Sequence, residues 1–240
     1  MERNSLGDSP EVIKLFETME QNRLYVEKAR MEEIVAHIDE LLATFDRMEK
    51  ELADLRQQAG GEGRPILDEG AEAVQEAKTV VERVKDTIRD TAGRAAKFSR
   101  SALVSTLQAA HISALLEKVQ SVLHDTELRM RRSAHKAEIV SSEIHAANVY
   151  LGNVGRTVNG KAVQQPRPVE NKGMFQLIRA GFLGLANTFE RMSGATARLR
   201  AKIPDLNKAA QGRESVRARI QGLKRQSAPG RERQATEVEI

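Results

Sequence analysis

The 240-residue chain contains no cysteine and no tryptophan. Without thiols it can form neither disulfides nor thiolate zinc sites, and it needs no oxidising compartment. Aromatic residues make up only 3% of the chain, too few for an ordinary globular core of this size, which draws on large rings. Proline is scarce as well, and none falls between residues 67 and 154. No apolar run approaches the ~18 residues of a membrane span, and residues 1–8 lack the basic and apolar blocks of a signal peptide. These absences lead to the expectation of a soluble, cytoplasmic protein.

The motifs of common catalytic sites are missing too. There is no phosphate-binding glycine loop, no dinucleotide fingerprint, no HExxH and no GxSxG. A di-iron bundle needs Glu three residues before an inward-facing His. The residues three before His37, His111, His124, His135 and His145 are Ile34, Gln108, Ser121, Arg132 and Ser142. No cofactor, metal site or catalytic residue is therefore expected, and the chain reads as non-enzymatic.

What is present is a seven-residue apolar repeat. Leu67, Val74, Val81, Ile88, Ala95, Ala102, Ala109, Leu116, Leu123, Met130, Ala137, Ile144 and Leu151 form one row, and the positions three residues later, from Gly70 to Val154, carry no charge. This spacing predicts long amphipathic helix. A second repeat precedes it, with Leu24, Met31, Ile38, Phe45 and Leu52 in one row and Ile34, Leu41, Met48 and Leu55 in the other. Three glycines and a proline at positions 60–65 separate the two. A break that short predicts a helical hairpin. Upstream, Ser9-Pro10-Glu11 is a helix start, with a cap, a first-position proline and an acid at the positive dipole end.

Unbroken, residues 67–151 would run on the order of 130 Å. The preceding helix can cover only their first part. Ala95, Ala102, Ser105 and Ala109 bury little area, so a bend or break is expected between Gly93 and Ser113. Residues 174–203 predict a final helix whose apolar face holds Phe175, Ile178, Phe182, Leu185, Phe189 and Met192. That face suits packing on the second half of the long repeat; beside Arg and Lys, it also suits an in-plane membrane helix.

Net charge is +4, distributed as −6 over residues 1–60, +2 over 61–170 and +8 over 171–240. The basic tail, with Arg213, Arg217, Arg219, Lys224 and Arg225, is an anion-binding candidate. It lacks interleaved aromatics, so nucleic-acid contact through it would be weak and sequence-independent. Arg129, Arg131, Arg132, His135 and Lys136 form a second basic cluster, read as a solvated face paired with nearby acids.

Ser9-Pro10-Glu11-Val12, residues 102–118, Ser142-Glu143-Ile144-His145-Ala146-Ala147, Gly152-Asn153-Val154-Gly155-Arg156, Gly160-Lys161 and the Phe-rich stretch 173–185 together resemble an uncharacterised family of helical proteins encoded on conjugative and integrative elements of Gram-positive gut bacteria. The resemblance covers most of the chain to about residue 200. It implies a bacterial mobile-element setting and supplies no functional residues.

The expected architecture is all-α: an elongated helical bundle or coiled coil with a helical hairpin, a long, bent central helix and a docked C-terminal helix. Its segments are acidic N-terminal helices (1–60), a long heptad region (66–152), a linker (153–173), the Phe-rich helix (174–203) and a disordered basic tail (204–240). The expected function is a scaffold or accessory interaction protein. Its expected partner is a protein, or a second copy, held through the heptad seams. The alternatives are peripheral binding to an anionic membrane surface and non-specific nucleic-acid association.

Overall fold

The computed structural model describes residues 5–61, 63–97, 112–165 and 173–203. Among them are five α-helices and no strand: α1 (Pro10–Gln21), α2 (Tyr25–Ala59), α3 (Arg64–Ala95), α4 (Ile112–Val158) and α5 (Met174–Lys202). Residues up to Arg200 form one unit; of the second, residues 201–240, only 201–203 are described.

The start of α1 follows from its sequence. The Ser9 hydroxyl accepts from the Val12 amide, and Pro10 occupies the first turn, where its missing N–H costs nothing. Ahead of it, the Asp39 carboxylate on α2 accepts from the Ser5 hydroxyl and from the Leu6 and Gly7 amides, which pins Leu6 into the core. At the α1–α2 corner Arg23 takes a left-handed conformation (φ 57°) and the Leu24 amide reaches back to Met19 O, closing the helix end while burying Leu24.

Ion pairs set the relative directions of the longer helices. Arg56 pairs with Asp68, and Lys78 with Asp46 and Glu49, so α2 and α3 are antiparallel across the Gly60–Gly63 turn. Arg129 meets Glu76 and Lys136 meets Glu69, both at 2.6 Å, so α4 is antiparallel to α3. Of the bend or break expected between Gly93 and Ser113, the structure has the break, with a full reversal: α3 ends at Ala95, and by Ile112 the chain runs back along it. The small seam residues Ala102, Ser105 and Ala109 lie outside the described residues.

The last helix closes the bundle. Arg131 pairs with Glu190 at 2.9 Å, Gln176 donates to Ser141, and Arg200 donates to Gln120, placing α5 antiparallel to α4. Against α2, Phe45 and Phe189 meet with ring centroids 5.9 Å apart. Against α3, the Phe182 ring lies where a side chain at Gly70 would begin. The arrangement is an up-down-up-down bundle of α2, α3, α4 and α5 whose core is the heptad rows of all four. At the end where α5 stops, α1 takes over, with Leu15 facing Met31, Ile88, Ala92 and Leu115.

One boundary differs from the sequence reading. The linker expected from residue 153 starts later, because α4 continues through Gly152 and Gly155 to Val158. Each glycine costs about 1 kcal/mol in a helix, and side-chain contacts at Asn153 and Arg156, described below, hold this last stretch.

Candidate interaction surface

α4 is longer than the bundle that contains it. Lys136 pairs with Glu69 near the start of α3, and Gln176 near the start of α5 reaches Ser141. Beyond about residue 143 neither helix remains to cover α4. The remaining fifteen or so residues extend roughly 22 Å at 1.5 Å per residue.

The apolar rows do not stop where the covering helices do. Within the bundle the seam of α4 is buried at Leu116, Val119, Leu123, Met130 and Ala137. Its continuation, Ile144, Ala147, Leu151, Val154 and Val158, keeps the same spacing and comes out into solvent. Ile144 and Val154 are each 45% exposed, Leu151 65% and Val158 81%, with Tyr150 beside them at 70%. From Ala146 to Gly155 there is no charged side chain on any face of the helix. Glu143 marks the base of this segment; Arg156 and Lys161 mark its tip.

The chain leaving α4 folds back on a different face. Gly160 turns it in a left-handed conformation (φ 65°), and the Lys161 amide donates to Arg156 O. Asn153 then clamps the returning chain with both ends of its amide, donating to Gln164 O at 3.0 Å and accepting from Gln164 N at 2.8 Å. Arg156 Nε donates to Ala162 O. Asn153 and Arg156 lie on the side of α4 turned away from the seam, so residues 159–165 cover its back and leave the apolar row open.

The candidates singled out from sequence occupy other places. Ile178, Phe182, Leu185, Phe189 and Met192 are buried in the bundle, with Phe175 half-buried beside Gly63. A face in that position meets α2 and α3, and reaches a membrane only if α5 leaves the bundle. The tail residues Arg213, Arg217, Arg219, Lys224 and Arg225 lie outside the described residues. Within the basic cluster on α4, Arg129 pairs with Glu76, Arg131 with Glu127 and Glu190, and Lys136 with Glu69, while His135 Nδ1 lies 3.7 Å from Glu138 on the same helix. Among the described residues no group of three His, Cys, Asp or Glu side chains is placed to hold a metal ion.

A cleft between α2 and α5 is bordered by His37, Glu40, Arg47, Glu51, Arg191 and Arg198. In it His37 Nε2 lies 2.8 Å from Thr196 Oγ1, and Thr196 donates its own proton to Met192 O. The imidazole is therefore the donor, with its proton on Nε2. Burial pushes the His37 pKa below its ordinary value of 6.5, against a smaller upward pull from Glu40 and Glu33. The sign follows: a depressed pKa gives stability that is present above pH 6.5 and lost as pH falls through the folded-state value. Thermal melts between pH 7 and pH 5 should show the wild type losing more stability than a His37→Asn variant; equal losses would mean that His37 is not the titrating group.

The fold and the open seam together define a class: an all-α helical-bundle protein with one helix projecting beyond its neighbours. The chain belongs to a family of unknown function, DUF6674, whose model matches residues 8–239. No curated protein and no solved structure matches it.

Proposed function

We propose that this is a non-enzymatic helical interaction protein whose working surface is the free end of α4. The observation that carries the reading is the continuation of a core heptad row, through Ile144, Leu151, Val154 and Val158, past the ends of the described helices that cover it, α3 and α5. Exposed apolar side chains scattered singly are normal on a protein surface; a contiguous row at core spacing without charge marks a binding face. The bundle acts as the support, holding that face at a fixed distance and direction. A mobile-element setting belongs to the same proposal and rests on the resemblance carried chiefly by residues 142–161; a cytoplasmic location rests on the absence of cysteine. Neighbouring genes for conjugation or integration would support that setting.

The test is a photo-crosslinking side chain placed at Leu151 in cells that express the protein, with Arg132, exposed on the bundle itself, as the control position. A protein adduct from position 151 and none from 132 is the expected outcome. No protein adduct at 151, or equal adducts at both positions, would overturn the reading.

A further inference from the structure

We infer that the partner of the free end of α4 is the same segment of a second copy of this chain, laid antiparallel across it about a two-fold axis near Leu151. The inference rests on the interaction reading above and names the occupant.

Up to Ala137 the seam of α4 is covered by the chain's own helices. Two copies joined in parallel through the continuing seam would bring both bundles to the same side and the same level, where they collide. Antiparallel joining puts the two bundles at opposite ends. Each tip then lies against the end of the other copy's bundle, in the space that a longer α3 or α5 would fill.

The pattern of the row is self-complementary. Ile144 and Ala147 precede Leu151 at nearly the intervals by which Val154 and Val158 follow it. Reversal about Leu151 therefore sets Ile144 against Val158, Ala147 against Val154, and Leu151 against its own mate. Isologous pairing needs this kind of self-complementary strip.

Charge does not oppose the contact: the ten residues from Ala146 to Gly155 carry none, and Arg156 is held on the far side of α4, where it donates to Ala162 O.

Area sets the strength. From the exposed fractions of Ile144, Tyr150, Leu151, Val154 and Val158, each copy contributes roughly 500 Å², and the pair buries on the order of 1,000 Å², the lower bound of specific interfaces. Dissociation constants of about 1–100 μM suit such an interface, so the dimer forms and separates with concentration.

Nearby parts of the chain are poor competitors for this face. Residues 159–165 are engaged on the back of α4. Residues 166–172 contain two prolines and a single large aliphatic residue, Val169. Residues 98–111 join α3 to α4 at the other end of the bundle, on the order of 45 Å along α4 from Ile144.

The absence of cysteine makes the test direct. Full-length Leu151→Cys should form a disulfide-linked dimer under mild oxidation. A mixture of Ile144→Cys and Val158→Cys chains should cross-link with each other, and neither should do so alone. Sedimentation equilibrium should show a wild-type dimer at tens of micromolar, and a dissociation constant at least ~100-fold weaker for Leu151→Glu, which places two carboxylates on the axis, with unchanged helicity. A wild type that stays monomeric through 100 μM overturns the inference, whether the tail at 204–240 or another protein occupies the face. So does a dimer in which Ile144→Cys cross-links to itself as readily as to Val158→Cys. A protein adduct at position 151 in cells beside a monomeric purified chain leaves the interaction reading standing and removes the second copy.

Discussion

Replacing Phe182 with alanine should lower the unfolding free energy by about 3–5 kcal/mol, the cost of emptying a fully buried aromatic site. Phe182 has no solvent exposure, and its ring lies in contact range of Gly70 on α3. A Cβ built on Gly70 would fall 2.2 Å from Cε1 and 2.7 Å from Cζ of that ring. The glycine is what lets α5 seat its central phenylalanine against α3.

The pair therefore makes a coupled prediction. Gly70→Ala adds about 1 kcal/mol of helix propensity to α3, but it forces the ring aside, and overpacking of this kind costs about 1–3 kcal/mol. The single variant should be destabilised or at best neutral. Combined with Phe182→Leu, whose smaller side chain vacates the space, Gly70→Ala should become stabilising. Denaturant unfolding of the four proteins in the cycle measures this coupling; additivity within ~0.5 kcal/mol would show that the two sites do not share one volume. Arg132→Ala, exposed on α4 within the bundle, serves as the reference and should change stability by less than ~0.5 kcal/mol.

The second large effect lies at Lys78. Its side chain is only 4% exposed, on the buried side of α3, and its ammonium is held by Glu49 Oε2 at 2.6 Å and Asp46 Oδ1 at 2.9 Å. Burial pulls the Lys78 pKa down, but the hydrogen bonds and charges of Glu49 and Asp46 outweigh it, and the net shift is upward from 10.5. Asp46→Asn with Glu49→Gln leaves a buried ammonium without a counter-charge. The expected loss is about 3 kcal/mol, at the low end for breaking a buried pair because both carboxylates keep contact with water. Lys78→Met removes the buried charge itself and should cost less, since an apolar side chain of similar length suits that position.

The pH dependence of this clamp follows from the direction of the shift. With a raised folded-state pKa, the contribution of Lys78 is fully present below pH 10.5 and is lost as pH rises through the folded value. The stability difference between wild type and Lys78→Met should therefore be flat from pH 7 to about pH 10 and shift against the wild type above it. Urea midpoints measured for both proteins across that range would show it. A difference that stays constant to pH 12 would mean that the ammonium is not the group the clamp stabilises.

Helices, hairpin and docked last helix are legible in residue spacing because an amphipathic helix announces its buried face by period alone. The Gly60 to Pro65 break, the Ser9 cap and the Phe182 face are local in this sense, and each sits where its residues imply. The reversal between α3 and α4 is legible only as a weak centre. Small seam residues say that little area is buried there, but not which way the chain turns. The basic cluster at Arg129 to Lys136 shows a similar limit. Its composition points to neighbouring acids on the same helix, whereas three of its partners, Glu76, Glu69 and Glu190, come from α3 and α5.

The projecting end of α4 shows where the two sources of information divide. Periodicity by itself determined that Ile144, Leu151 and Val154 share a face with Leu116, Leu123 and Met130, because a helical row is a property of one segment. Whether that face is core or surface depends on where other helices end, and those ends meet only after folding. The tertiary structure decided it by starting α3 at Arg64 and α5 at Met174, level with about residue 143 of α4. The helix persists through Gly152 and Gly155 because Asn153 and Arg156 grip the returning chain, contacts that sequence spacing does not encode. One apolar row thus became a buried seam along the bundle and an open strip beyond it.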